Sequence, residues 1–196
     1  MSLFEIANDL GMSRGNLTYH FKNKDVLLYT IAEEMWSKIK AEREKSVLLP
    51  SFKNLHHEVQ LYYKSQKEYA FIFLDSHVLN HPQVKKQFRQ LTKQSLTQNK
   101  HIIAFSLEVG NIKPELFPGL YNNVSMITWM LTFFWLPQQI ITGETRLEDG
   151  EKLIWSVLLP HLTEKGIQNF KRFFGQEYLD SLGEPFEIDI ESLISF

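Results

Sequence analysis

Residues 2–21 read SLFEIANDLGMSRGNLTYHF, and this order of residue types spells two short helices joined at a glycine. Leu3, Ile6, Ala7 and Leu10 recur at the spacing of one helix face. Gly11 supplies the permissive backbone that closes a helix C-terminus, and Ser13 is the residue type that caps the next helix, expected to reach Phe21. Ala7 is small where two helices must come close. Ile6, Leu10, Met12, Leu17 and Phe21 are spaced to pack the pair together. The logic is that of a helix-turn-helix. Arg14, Asn16, Tyr19 and His20 are left for the exposed side of the second helix.

The chemistry of that exposed side suits DNA. Arginine and asparagine make bidentate contacts to base edges, while hydroxyl and ammonium groups hold phosphates. From Gly11 to Lys24 the charged residues are Arg14, Lys22 and Lys24, with no acid among them. This basic patch is hidden in a chain whose formal net charge is −2. Asn23 caps a third, longer helix in which Leu27, Leu28, Ile31, Met35 and Ile39 recur at helical spacing up to about Glu44.

The string GMSRGNLTYHFKNKDVLL resembles the DNA-binding signature of the tetracycline-repressor (TetR/AcrR) family of bacterial regulators. The parts that carry the resemblance are Tyr19, His20 and Phe21, then Asn23 and Lys24, then the helix from Asp25. By that resemblance Ser13, Arg14, Asn16, Thr18, Tyr19, His20 and Lys24 fall where the family faces DNA, Tyr19 and Lys24 on phosphates and Arg14 and Asn16 on bases. The Thr18 hydroxyl has a competing use, bonding back to its own helix. The family carries a further helix before this motif, whereas this chain starts inside the supporting helix. Ile6, Leu10 and parts of the connecting helix are therefore expected to be exposed.

Helical spacing continues along the chain. Helices are expected over 52–64, 68–79, 83–109 and 120–141, with breaks at Pro50-Ser51, at Asn80-His81-Pro82 and over 110–118. Pro137 is expected to kink or end the fourth of these. A last helix is expected from Leu147 to about Phe174, interrupted by Pro160. Strand signals are scarce; the one Asp-Gly pair, Asp149-Gly150, sits in a charged segment. The expected fold is all-α: residues 1–45 as an N-terminally incomplete helix-turn-helix domain with its connecting helix, and 46–196 as a helical ligand-binding and dimerisation domain. Two charge blocks stand out. The stretch 82–107 has five basic residues and no acid, a pattern that usually marks a solvated helix face. The stretch 176–196 has six acids and no base, but its Phe186, Ile188, Ile190, Leu193, Ile194 and Phe196 suggest a segment docked on the same chain or a neighbour.

The 196 residues include 43 % apolar types and 15 phenylalanines, enough for a sizeable core and an internal cavity. There is no cysteine, which excludes disulfides and thiolate chemistry. No secretory leader is visible, and the apolar stretch 124–141 reads as a buried helix rather than a membrane span, which needs roughly 20 mostly apolar residues. The expected location is the cytoplasm. An enzyme is not expected: there is no phosphate loop or nucleophile elbow, and His56, His57 and Glu58 are adjacent residues that point to different helix faces. No cofactor and no metal are expected.

The resemblance implies a C-terminal domain that binds a small molecule and dimerises. Phe73, His77, Met126, Trp129, Met130 and Phe133 are the candidates to line a pocket for an apolar or amphipathic ligand, and Phe134, Trp155, Leu158, Leu159 and Leu162 to form the dimer interface. The expected partners are a palindromic double-stranded operator, an unidentified small-molecule effector and a second copy of the chain; no membrane is expected. The expected activity is that of a repressor released by its ligand. The alternative is a regulator-shaped protein that has lost DNA binding and acts through protein or ligand contacts.

Overall fold

In the computed structural model the described residues are 2–45, 50–142 and 148–186. They form helices throughout, with a single isolated bridge between Ile112 and Leu162. The first two helices are α1 (Leu3–Asp9) and α2 (Arg14–His20). Ser2 caps α1 reciprocally with Glu5: the Ser2 hydroxyl accepts from the Glu5 N–H while the Glu5 carboxylate accepts from the Ser2 N–H. At the other end Gly11, at φ +64°, lets its own N–H reach Asn8 O and the Met12 N–H reach Ala7 O. These two bonds close α1 and turn the chain into α2. Ser13 caps α2 by accepting from the Asn16 N–H.

The long α3 (Lys24–Lys45) opens with the Asn23 side chain accepting from the Val26 N–H. Behind it lie α4 (Phe52–Glu68), the short α5 (Ala70–Leu74) and α6 (Ser76–Asn80), α7 (Pro82–Glu108), α8 (Leu120–Thr142), α9 (Glu148–Leu158), α10 (Glu164–Phe174) and the short α11 (Gln176–Asp180). Two expectations of continuity change here. The helix expected over 68–79 is split, because Asp75 leaves helical geometry and its side chain caps α6 through the His77 N–H. Pro137 does not end α8, which continues to Thr142. Immediately before that proline the fully buried Gln66 amide bridges two backbone groups one turn apart, donating to Thr132 O and accepting from the Leu136 N–H. Leu147 and the residues 187–196 of the acidic tail lie outside the described residues.

The core gathers around α3. Ala32, Met35 and Ile39 are buried against Tyr62, Ile72, Phe73, Val84 and Phe133 from α4, α5, α7 and α8. A second cluster joins α4, α8 and α9 through Val59, Tyr63, Trp135 and Ile154, and a third joins α9 to α10 through Trp155, Leu162 and Phe170. Asp149-Gly150 is not a turn but part of α9, and Gly150 is where α9 comes nearest to α4 and α8. A Cβ at Gly150 would run into the Tyr63 hydroxyl and the Trp135 ring. Gly150→Ala gains about 1 kcal/mol of helix propensity, yet overpacking outweighs it; chemical denaturation should show a net loss of about 1–3 kcal/mol.

Candidate nucleic-acid interface and internal cavity

The two short helices pack through few side chains. Ala7 and Leu17 are buried between them, Ile6 and Phe21 are half-buried, and Leu10 and Met12 are exposed. Of the five residues expected to pack the pair, Leu10 and Met12 therefore face solvent, as do Phe4 and Val26 nearby. The expected exposure of Leu10 and part of the connecting helix is present; Ile6 is better covered than expected.

The outer side of α2 is polar. Arg14, Asn16, Tyr19 and His20 are exposed on it, with Ser13 at its start and Lys24 opening α3. Tyr19 is 84 % exposed, and nothing in the chain accounts for holding so large a ring in water. Its only ring neighbour among the described residues is His20, edge-on at 5.1 Å. Thr18 takes the competing role anticipated for it: its hydroxyl donates to Arg14 O at 2.9 Å, so its donor is committed to its own helix. The Ser13 oxygen accepts from the Asn16 N–H, which leaves its own hydroxyl hydrogen available. Lys22 and Lys24 add two exposed cations where α2 passes into α3.

A cavity of about 560 Å³ lies between α3, α4, α7, α8 and α9. Trp129 and Phe133, two of the expected lining residues, border it, as do Phe52, Tyr62, Ile154 and Trp155. The other four do not. Phe73 is packed into the core around α3, His77 is exposed on α6, and Met126 and Met130 sit on the outer face of α8. Of the residues expected at a dimer interface, Trp155 and Leu162 are buried inside the protomer, and Leu158 and Leu159 pack half-buried against the same cluster. Within the protomer, then, Trp155 and Leu162 serve the core, while Leu158 and Leu159 keep part of their surface exposed. Phe134 alone of that set is exposed, at 48 %. Ile127, Met130 and Ile141 share its face of α8 at helical spacing, with Met126 beside them. That helix is long and apolar enough to cross a bilayer, and here its inner face packs on α4, α7 and α9.

The charged pair in the cavity wall, Arg43 and Glu58, was not anticipated. Arg43, near the end of α3, reaches Glu58 of α4 at 3.1 Å and the Tyr62 hydroxyl at 3.4 Å, and also contacts Gln98 of α7. Burial raises the Glu58 carboxyl above its ordinary range, with Arg43 and His57 pulling the other way. Burial likewise pushes the Tyr62 phenol up to about 12. The one sequence signal was weak: Glu58 falls on the inward face of α4, one residue from Val59 and four from Tyr62. His56, by contrast, points elsewhere, with Nδ1 2.6 Å from the buried Glu151, which also accepts from Gln60 and Trp155. Among the described residues no group of three histidines or acids could hold a metal ion.

The model for the family described as "TetR: Bacterial transcriptional repressor" matches residues 31–170, more than half of the chain. The chain belongs to the TetR family. A crystal structure of a TetR-family transcriptional regulator from Marinobacter aquaeolei VT8 superposes with a TM-score of 0.76 at 21 % identity, covering 94 % of this chain and 88 % of that one. At that identity the likeness establishes the shared fold. Curated proteins gave no match. TetR-family members are DNA-binding transcription regulators that act as dimers on operator DNA.

The ion pair in the cavity wall has a measurable signature. Arg43→Met leaves the partly buried Glu58 without its cation, at a cost of roughly 1–3 kcal/mol near neutral pH. Without Arg43 the folded-state carboxyl rises further above its unfolded value, so the folded variant holds more protons than the unfolded chain, and stability falls as pH rises through that range. Urea denaturation should therefore show the cost shrinking as pH is lowered towards the ordinary carboxyl value of 4.5.

Proposed function

We propose that this chain is a cytoplasmic repressor in which residues 1–45 read an operator and 46–196 bind a small effector and dimerise. The observation that carries the DNA assignment is the outer face of α2, where a large ring and three polar side chains stand in solvent beside exposed Lys22 and Lys24. In this reading Arg14 and Asn16 meet base edges, and Tyr19, His20, Lys24 and the Ser13 hydroxyl hold the backbone. Thr18 contributes through its helix rather than through its hydroxyl.

A two-fold dimer places two copies of α2 in successive major grooves of a palindrome. The exposed apolar stripe of α8, with Phe134 at its middle, is the surface proposed to join the copies. The effector occupies the cavity, whose size lies in the range of small-molecule sites of about 300–1,000 Å³, and releases the operator by favouring a different arrangement of α3.

DNA from upstream of the gene tests this by fluorescence anisotropy at two salt concentrations. Binding led by phosphate contacts weakens steeply with salt. Tyr19→Ala and Lys24→Ala should each lower affinity roughly tenfold, and Lys24→Ala should also flatten the salt dependence. Sequence-wide loss with no effect of either substitution would favour the reading in which DNA binding has been given up.

The stripe on α8 has its own test. Phe134→Glu places a charge on an exposed position, so the protomer should stay folded by circular dichroism. Sedimentation should show a shift from dimer to monomer, with operator affinity falling in parallel. An unchanged dimer would move the interface off α8.

A further inference from the structure

We propose that the cavity takes an apolar carboxylate whose head group displaces Glu58 from Arg43, and that Arg43 is the side chain through which the occupied cavity acts on α3. This rests on the effector reading above and specifies its ligand class and its lever.

Arg43 and Glu58 are the only acid and the only arginine or lysine among the described cavity-lining residues. Around them stand hydrogen-bonding groups, His57, Ser95 and Gln98 among them. Elsewhere the wall is aromatic and aliphatic, with Phe52, Trp129, Phe133, Ile154 and Trp155. Such a cavity suits a molecule with one charged end and an apolar body.

The sign of that charge follows from an asymmetry within the ion pair. A cationic ligand would have to take Glu58 from Arg43 and strand a guanidinium that cannot lose its proton. An anionic ligand strands Glu58 instead. Burial already favours the protonated form of that carboxyl, so it neutralises by taking up a proton. Arg43 meets Glu58 through one nitrogen and one oxygen, whereas its guanidinium fork can donate two parallel bonds to a carboxylate.

Arg43 belongs to α3, the helix that begins at Lys24 beside the DNA-reading face. Its present partners are on α4 and α7, so moving the guanidinium from Glu58 to a ligand changes how the end of α3 is tied to the core.

The test uses dodecanoate, dodecanol and dodecyltrimethylammonium below their micellar concentrations, followed by the tryptophan fluorescence of the full chain, to which the cavity-lining Trp129 and Trp155 contribute. Dodecanoate should quench saturably and bind at least roughly tenfold tighter than the alcohol or the cation. Glu58→Gln should tighten dodecanoate further. Because R43M alone strands a partly buried carboxylate, the double variant R43M/E58Q, which removes both charges, is measured beside it. It should bind dodecanol as the parent does and show no preference for dodecanoate. In the same samples dodecanoate should release the parent from upstream DNA and leave R43M/E58Q bound. Equal affinity for the three probes, tighter binding of the cation, or a carboxylate preference surviving in R43M/E58Q overturns the proposal. DNA binding released by another class of compound, with no preference for dodecanoate, overturns it while the repressor reading stands. A carboxylate preference lost in R43M/E58Q, in a chain that binds no DNA, supports the ligand class, overturns the role of Arg43 as lever and removes the repressor reading.

Discussion

One helix is shared by two parts of the molecule that have different work to do. The N-terminal end of α3 closes the helix-turn-helix, while Ala32, Met35 and Ile39 further along it are buried in the largest core cluster with Tyr62, Ile72, Phe73, Val84 and Phe133. Close-packed cores do not deform continuously; they move between discrete arrangements. Rotation or translation of α3 within this cluster therefore carries the start of the helix, and with it the approach to α2. Lys38 strengthens the attachment from outside, reaching the Tyr69 hydroxyl at 2.6 Å and Glu68 at 3.2 Å at the far end of α4. The core pins the middle of α3, and Lys38 and Arg43 add polar contacts along it, Arg43 on the side of the cavity.

The same economy shapes α8. Its inner face supplies Phe133 to the core around α3, Trp135 to the cluster with α4 and α9, and Trp129 to the cavity wall. Its outer face remains apolar, with Phe134 one residue away from Phe133. That exposed apolar stripe is why α8 is the surface proposed to join two copies. Just before Pro137 the buried Gln66 amide meets both a carbonyl and an N–H of this helix, donating to Thr132 O and accepting from the Leu136 N–H.

How much of this was legible in the sequence depended on how local each cause was. Gly11, Ser13, Asn23 and Ser51 act within three residues of themselves, and the helix ends they announce are where the structure has them. Asp75 gave an equally local cap signal that the apolar run around it obscured. Causes that act across the fold were not legible. Met126, Trp129, Met130 and Phe133 share one helix and one apolar character, and only the position of α4 and α7 decides that the second and fourth turn inward. Trp155 and Leu162 look the same to the sequence whether a second chain or α10 covers them. Arg43 sits among the charges closing α3, where arginine usually means a solvated end, and its partners are 15, 19 and 55 residues away.

In the proposed reading, the placement of the ion pair also bounds what an effector accomplishes. A ligand shifts the balance between two arrangements only by the difference in its affinity for them, and ordinary effectors supply about 1–3 kcal/mol of coupling. Burial in an apolar cavity adds affinity in both arrangements alike and so contributes nothing to switching. A contact made in one arrangement and broken in the other does contribute. Among the cavity-lining residues, Arg43 is the one on α3 itself. Contacts with the walls from α4, α7, α8 and α9 can make the ligand bind tightly; a contact that changes at Arg43 is the kind that lets tight binding be felt at the DNA.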